Sequence, residues 1–389
     1  MTYLNKFIVY VDTPEVRDTL LKHGSPGLPT ALTTVIIFKT DLTKEEVERI
    51  PGVAEVEQDS MNEPSAVQPS PRNWFLPSSS NTAPDYVYNK TGEGVAIYVM
   101  DSGIRSDHSE FDGRETETIY TYDGLDYGGV NNSVEHGMMA ATCAAGNQHG
   151  IAKKASVFSM RYDWSFSDGI KALDTMFAHY KANTRPAVLS MSWSSVSNIY
   201  NRVFTELSNA GVVLVASAGN DGEPQPRWPA QREDVIAVAA CDRYLKPSVW
   251  NSVQSTNYGP QVDIWAGGTA GLSGSIRTRT ATQTASGTSS ACPLVAGNVA
   301  LLLEGREKLS TYSDVMNVKR ELLEGSRKGV IQYTDEKYLS TPNRYIYTLA
   351  EDKTPDEDPV LYVREPTSYF TIENVLTVAV VIAILLFIL

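Results

Sequence analysis

The sequence predicts an α/β protein whose main sheet is parallel and covered by helices on both faces. From residue 94 onward, short and almost continuously apolar segments alternate with helical stretches, which is typical of a buried parallel sheet. The chain has 389 residues, of which 42 % are hydrophobic, so its composition allows a full core. Polar residues follow several of the apolar segments, at the strand ends where such sheets bind ligands.

Residues 1–62 are predicted to form a small separate unit. Three strand candidates, KFIVYVD, TTVIIFKTD and GVAEVEQD, alternate with two short helices, PEVRDTLLKHG and EEVERI. Gly24 marks the end of the first helix, and Thr43 with Glu46 makes a capping box at the start of the second. This order is typical of an α+β module of ferredoxin-like size. A linker rich in proline and serine follows, which includes residues 63–72.

The main domain is predicted over residues 73–350. Its principal strands are expected at 95–100, 156–160, 187–191, 212–217, 235–240 and 262–266. Helices are expected at 134–145, 168–182 and 197–209.

The end of the chain predicts a membrane anchor. An acidic linker, 351–367, precedes residues 368–389, which carry one charge, Glu373. The last 15 residues are uncharged and would extend roughly 22 Å as a helix, whereas the hydrocarbon core measures ~30 Å. The longer segment reaches that span, so we expect a single-pass C-terminal anchor, with a buried core helix as the alternative. The N-terminus lacks a signal-peptide pattern, so the main domain is expected on the cytosolic side.

Charge and motif content exclude several classes of function. The net charge of −13 disfavours nucleic-acid binding, which needs clustered Lys and Arg. Three cysteines without a Cys-x-x-Cys pair indicate neither a disulfide framework nor a thiolate zinc site. No His-Glu-x-x-His occurs, so the zinc-protease signature is absent from the sequence.

Four residues supply the groups of a serine hydrolase. Asp101 and Asn220 follow predicted strands, His136 begins a small-residue helix, and Ser289 opens an apolar one. Each alone is an ordinary turn, structural or capping residue. Together they offer a nucleophile, a base, a carboxylate that orients the base and an amide for the oxyanion.

The motifs around these residues resemble those of the subtilases, and within them the proteinase K-like group. They are TGEGVAIYVMDSGI, EHGMMAATCAAG, LSMSW, ASAGNDG and SGTSSACPLVAG, in the family's order. The resemblance covers about residues 73–350, and residues 3–62 resemble the inhibitor propeptide. The chain departs from the family's usual residues at Met139, Ala141, Ser194 and Ser290.

The resemblance implies a subtilisin-like three-layer fold and a serine endopeptidase that needs no cofactor for its chemistry. Asp101, His136 and Ser289 would be the triad and Asn220 the oxyanion residue. Proteins or peptides would be the substrates. The propeptide would guide folding, inhibit the enzyme and be removed by self-cleavage in the region 60–72.

The resemblance also implies positions for substrate and for a metal. Ser192, Trp193, Ser194 and Gly222 would line the substrate site, with segment 190–194 pairing with the substrate main chain. Arg227 would lie near the pocket floor and favour an acidic or polar side chain, although a solvated arginine is an equal alternative. Asp263, with the carbonyl groups of two residues, Glu233 and Val235, would hold an optional structural Ca²⁺.

One alternative function stays open at the level of the sequence. The departures at Met139, Ala141 and Ser194 leave room for a subtilase-like scaffold that binds peptides without cutting them. An α/β-hydrolase esterase is disfavoured because the sequence lacks Gly-x-Ser-x-Gly.

Overall fold

The computed structural model describes residues 5–13, 15–26, 35–58, 66–127 and 132–348. They belong to two compact units, Met1–Pro64 and Ser65–Leu389. The predicted acidic linker, 351–367, and the predicted membrane segment, 368–389, lie outside the described residues, as does part of the predicted processing region. Within the described ranges, every helix is too short or too polar to span a bilayer.

The first unit has the element order βαββαβ. Its elements are β1 (Asn5–Val11), α1 (Val16–Leu20), β2 (Gly24–Pro26), β3 (Val35–Thr40), α2 (Lys44–Glu48) and β4 (Val53–Gln58). The antiparallel sheet has the order β2-β3-β1-β4, which is ferredoxin-like. The predicted capping box at Thr43 and Glu46 is confirmed, with both of its reciprocal hydrogen bonds present.

The second unit carries the long sheet and its helices. Its first elements are β5 (Ala66–Gln68), α3 (Phe75–Ser80), β6 (Tyr86–Tyr88), β7 (Ala96–Asp101), β8 (Thr116–Thr121), α4 (Asn132–Ala145), β9 (Ser156–Arg161), α5 (Phe166–Ala182), β10 (Ala187–Met191) and α6 (Asn201–Asn209). Its remaining elements are β11 (Val212–Ser217), β12 (Val235–Cys241), β13 (Ile264–Gly267), β14 (Gly271–Gly274), β15 (Thr282–Ala285), α7 (Thr288–Leu303), α8 (Tyr312–Glu324), β16 (Arg327–Lys328) and β17 (Arg344–Tyr345).

The long sheet has nine strands in the order β16-β17-β13-β12-β11-β10-β7-β9-β8. All neighbouring pairs are parallel except β16 with β17. The predicted α/β class and mainly parallel sheet are therefore confirmed. Strand β8 was not predicted, because its burial is partial and its sequence TETIYT is polar.

Both faces of this sheet are buried. Along β7, Ile97 and Val99 face a core shared with α4, α7 and α8, whereas Tyr98 and Met100 face a second core shared with α5 and α6. This two-sided burial explains why the strands are apolar without alternation. It also fixes the carboxyl ends of β7, β10 and β11 side by side at one edge of the sheet.

Helix α7 crosses the first core and is buried on all sides. Fourteen of its sixteen residues are buried, and the two that are not are Ser289 and Leu302. A helix without a polar face is typical of the interior of a large domain. At its first turn, only Ser289 reaches solvent.

Candidate active site

A buried carboxylate, Asp101, forms a double hydrogen bond with His136, whose side chain is 32 % exposed. Asp101 is the last residue of β7 and is 1 % exposed. Nδ1–H of His136 donates to Oδ1 at 2.9 Å and to Oδ2 at 3.0 Å. Because Nδ1 carries the proton in this arrangement, Nε2 has a free lone pair and can accept one. The geometry therefore gives His136 the tautomer of a general base.

The loop after β7 and the start of α4 pack so closely that most side chains would not fit between them. The backbone N–H of Gly137 donates to Oγ of Ser102 at 2.8 Å, and the Ser102 N–H donates to Oδ1 of Asp101 at 2.7 Å. A Cβ on Gly137 would lie 2.3 Å from the carbonyl oxygen of Gly103. The start of α4 can approach the loop after β7 only because residue 137 is glycine.

Two opposing effects set the pKa of His136. Burial disfavours the imidazolium form, whereas the negative charge of Asp101 and its hydrogen bond favour it. The second effect prevails, so the pKa of His136 lies above its ordinary value. The carboxylate thus strengthens the base that it orients.

Ser289 lies at the second position of α7 and does not cap the helix. The capping residue is Gly287, with φ of 129°, in the left-handed region that favours glycine. Helix α7 begins at Thr288, so the N–H of Ser289 is one of the four that an α-helix leaves unpaired at its start. The serine hydroxyl, its own N–H and the positive end of the helix dipole therefore meet at one point.

The side chain of Asn220 is held in one orientation by Thr288. Oδ1 of Asn220 accepts from the Thr288 N–H at 2.9 Å and from its hydroxyl at 2.8 Å. The hydroxyl oxygen in turn accepts from the Gly219 N–H at 3.2 Å. With its oxygen engaged twice, Asn220 presents Nδ2 as the donor. The sequence prediction identified Asn220 but missed Thr288, which orients it.

The helix that carries Ser289 is also fixed to β10, the neighbour of β7. One turn after Ser289, Sγ of Cys292 donates to the Met191 carbonyl at 3.5 Å and lies 3.9 Å from Oγ of Ser190. No hydrogen bond joins His136 to Ser289 within the described residues. In enzymes without bound substrate, catalytic hydrogen bonds are often long and tighten only in the reacting complex.

The predicted substrate residues lie near the end of β10 and in the loop after β11. Ser192 and Trp193 follow β10 and are buried, and Ser194 is exposed. Gly222 follows Asn220 in the neighbouring loop, and its N–H donates to the Ser255 carbonyl at 3.0 Å. Arg227, predicted to favour an acidic or polar substrate side chain, forms an ion pair with Asp221 within the chain, and its substrate preference stays a prediction.

An exposed tryptophan that the sequence analysis missed lies beside the base. The ring centre of Trp164 is 6.5 Å from that of His136 and nearly perpendicular to it. Trp164 is 46 % exposed and has φ of 69°, an uncommon backbone conformation that clusters at functional sites. The ring of Trp164 also lies next to that of Tyr162, with ring centres 4.9 Å apart. The cleft wall next to His136 is therefore aromatic.

The departures from the family's usual residues lie mostly in the interior. Met139 and Ala141 belong to the core between α4 and the sheet, and Ser290 is fully buried at the start of α7. The three cysteines, Cys143, Cys241 and Cys292, are also free and buried. Burial raises the pKa of Cys143 and of Cys292 to about 12, so these thiols are unreactive at neutral pH.

The oxygens expected to hold Ca²⁺ surround an ammonium group. Nζ of Lys319 lies 2.8 Å from Oδ2 of Asp263 and donates to the carbonyl groups of Glu233 and Val235 at 2.9 and 2.8 Å. Among the described residues, no group of three or more His, Cys, Asp or Glu side chains could hold a metal ion. The residues present therefore do not fit a divalent cation at Asp263.

Comparisons with known proteins show the family to which this chain is similar. The sequence model of the Subtilase family matches residues 92–341 of this chain. Alkaline protease 1 of Aspergillus flavus is 31 % identical over 72 % of this chain and 71 % of its own length. Proteinase R of Parengyodontium album is 32 % identical over 68 % of this chain and 70 % of its own length.

A solved structure shares the fold. The crystal structure of a cold adapted subtilisin-like serine proteinase superposes on 72 % of this chain, over 98 % of its own length. The TM-score is 0.60 and the sequence identity is 24 %. The match supports the architecture of the main domain and is too distant in sequence to assign residue roles.

Proposed function

The chain belongs to the subtilase family and is a subtilisin-like serine endopeptidase, and from this premise we propose that Asp101, His136, Ser289 and Asn220 carry its reaction. The observation that carries the assignment is the arrangement at the sheet edge. At that edge, the carboxylate of Asp101 orients the imidazole of His136. The side-chain amide of Asn220 is held in one orientation next to Ser289, which is the one residue in the first turn of α7 that reaches solvent. These are the groups that acyl transfer to a serine requires.

The proposed reaction follows from the atoms that are available. Oγ of Ser289 attacks the peptide carbonyl while Nε2 of His136 accepts the hydroxyl proton. Nδ2–H of Asn220 and the N–H of Ser289 bind the developing oxyanion. His136 then donates its proton to the leaving amine, and a water molecule hydrolyses the acyl-enzyme by the same route. Asp101 stabilises the imidazolium in both halves.

Labelling with a fluorophosphonate tests the assignment, because only an activated serine reacts with it. We expect the full chain to be labelled at Ser289, and the Ser289→Ala variant to be neither labelled nor active. Ser290→Ala is the matched control, since Ser290 is buried beside it and should leave labelling intact. An unlabelled wild-type chain that still binds peptides would favour the inactive scaffold and reject the proposal.

We further propose that the chain is a zymogen that removes its own first unit. The support is the compact βαββαβ unit ahead of residue 65 and the resemblance of that region to an inhibitor propeptide. The full chain has a mass of 42.7 kDa, so cleavage near residue 64 would remove about 7 kDa. We expect this loss in the wild type and not in Ser289→Ala. The same loss in both would indicate another protease.

We also propose that residues 368–389 anchor the enzyme in a membrane, on the support of their apolar sequence. The full chain should remain with membranes after alkaline carbonate extraction, whereas a chain that ends at residue 350 should be released. Equal release of both would reject the anchor. Protease protection of intact membranes would then report whether the catalytic domain faces the cytosol, as the sequence predicts.

A further inference from the structure

A largely buried lysine occupies a complete cation site at the opposite end of the sheet's strands from Ser289. Lys319 lies on α8 and extends to the amino ends of β12 and β13. Its side chain is 11 % exposed and that of Asp263 is 17 % exposed. The ammonium group has three N–H donors, and all three find an oxygen at 2.8–2.9 Å. These are the distances of charge-assisted hydrogen bonds.

The backbone around β12 and β13 sets the positions of the three oxygens. The carbonyl groups of Glu233 and Val235 belong to the segment that leads into β12 and to its first residue, and Asp263 directly precedes β13. Oδ2 of Asp263 also accepts from the Ala237 N–H at 2.8 Å, which fixes the carboxylate. One carboxylate and two carbonyl groups are hard oxygen ligands of the kind that Ca²⁺ binds.

The lysine and a metal ion exclude each other at this place. Calcium requires oxygen ligands at about 2.3–2.6 Å, so an ion bound by these three atoms would lie almost where Nζ lies. The ammonium charge would also repel a divalent ion. We propose that Lys319 is a built-in cation that replaces a divalent cation here, and that this part of the fold needs no metal. It follows that removing the side chain opens a site for Ca²⁺.

The test compares thermal unfolding of the full chain in chelator and in calcium, in a Ser289→Ala background that prevents self-digestion. With Lys319 present, we expect the same Tm in EDTA and in millimolar Ca²⁺. Lys319→Ala leaves Asp263 without its lysine partner, and the loss of one member of a largely buried pair should lower the Tm in EDTA by about 4–9 °C for a chain of this size. Calcium should then restore a large part of that loss.

Two further variants sharpen the result. Lys319→Met fills the space without a charge, so it should be destabilised and should not respond to calcium. Arg320→Ala removes a neighbouring exposed cation of the same helix and should change neither the Tm nor the calcium response. Titration calorimetry should detect one calcium site gained in Lys319→Ala relative to the parent chain.

The outcomes separate the alternatives. A calcium shift of equal size with and without Lys319 would assign the ion to another place and overturn the proposal, and so would the absence of any shift in Lys319→Ala. If Lys319→Ala is insoluble in EDTA, refolding in calcium replaces the Tm measurement. Recovery in calcium alone supports the proposal, and failure in both conditions overturns it. None of these readouts depends on catalysis, so they are independent of the proposed function.

Discussion

At the scale of single residues, a threonine orients the asparagine that we propose as the oxyanion donor. Thr288 is 1 % exposed, and its hydroxyl connects the Gly219 N–H to Oδ1 of Asn220. The same residue also binds Oδ1 through its backbone N–H. Thr288 is therefore a positioning residue, whose effect on turnover should pass through Asn220.

Thr288→Val removes this hydroxyl at nearly constant volume and should lower kcat by about 10-fold, the equivalent of one net hydrogen bond. Asn220→Ala should lower kcat by ~10²–10³, a range measured on a subtilisin. Steady-state kinetics of the double variant decides the mechanism, because it should be no worse than Asn220→Ala alone. Thr288→Ser, which keeps the hydroxyl, should stay near the wild type. Additive losses would show that Thr288 acts independently.

The pH dependence of the reaction should report the pair of His136 and Asp101. Protonated His136 cannot accept the serine proton, so kcat/KM should rise with pH through the pKa of His136. Because Asp101 outweighs burial and raises this pKa, the acidic limb should have its midpoint above the ordinary value of 6.5. Asp101→Asn leaves burial unopposed, so the limb should move to lower pH while turnover falls by ~10⁴.

The control for this profile is Asp163→Asn, which removes an exposed carboxylate next to Trp164. A general change of surface charge would move the limb in both variants, whereas a specific contact would move it only in Asp101→Asn. An unchanged midpoint in Asp101→Asn would contradict the role assigned to the carboxylate.

At the scale of elements, the site depends on how closely helix α4 approaches the loop after β7. Gly137 is inside the helix, where alanine has the higher helix propensity by about 1 kcal/mol. A Cβ at this position would, however, meet the backbone nitrogen and carbonyl oxygen of Gly103 at 2.9 and 2.3 Å. Propensity and packing therefore predict opposite effects of the same substitution.

Packing should prevail, because the opposing atoms belong to backbone and cannot rotate away. Gly137→Ala should displace α4, separate His136 from Asp101 and lower kcat by about 10² or more, since a shift near 1 Å costs that much. It should also lower the Tm. Turnover and thermal unfolding measured together check this prediction, and a more stable variant with full activity would show that propensity decides.

At the scale of the whole molecule, the parallel sheet separates the proposed catalytic residues from the ammonium group of Lys319. Asp101 lies at the carboxyl end of β7, whereas Lys319 binds at the amino end of β12, whose seven residues extend over about 20 Å. In the active enzyme, Lys319→Ala should therefore lower the Tm but leave kcat at 25 °C within about twofold of the wild type. A parallel loss of turnover well below the Tm would mean that the two edges are coupled.

The sequence by itself determined the class of the fold, the six principal strands of the main domain and the four candidate catalytic residues. The strands are apolar because both faces of the sheet are covered, and that local pattern is visible without coordinates. The apolar pattern did not reveal β8, which is only partly buried. The predicted start of α6 at residue 197 was four residues too early, because the helix begins at Asn201. The amphipathic edge of a sheet carries a weaker signal than its centre.

Only the tertiary structure decided which distant groups meet. Thr288 with Asn220, Trp164 with His136 and Lys319 with Asp263 are 68, 28 and 56 positions apart in the chain, and no local pattern relates the members of each pair. The lysine is the clearest case. The sequence motif around Asp263 predicts a calcium ligand, whereas the cation that neutralises it comes from a helix that the motif does not contain. Charge compensation depends on distance in space, and only the packing of α8 against the sheet brings that ammonium group to the carboxylate.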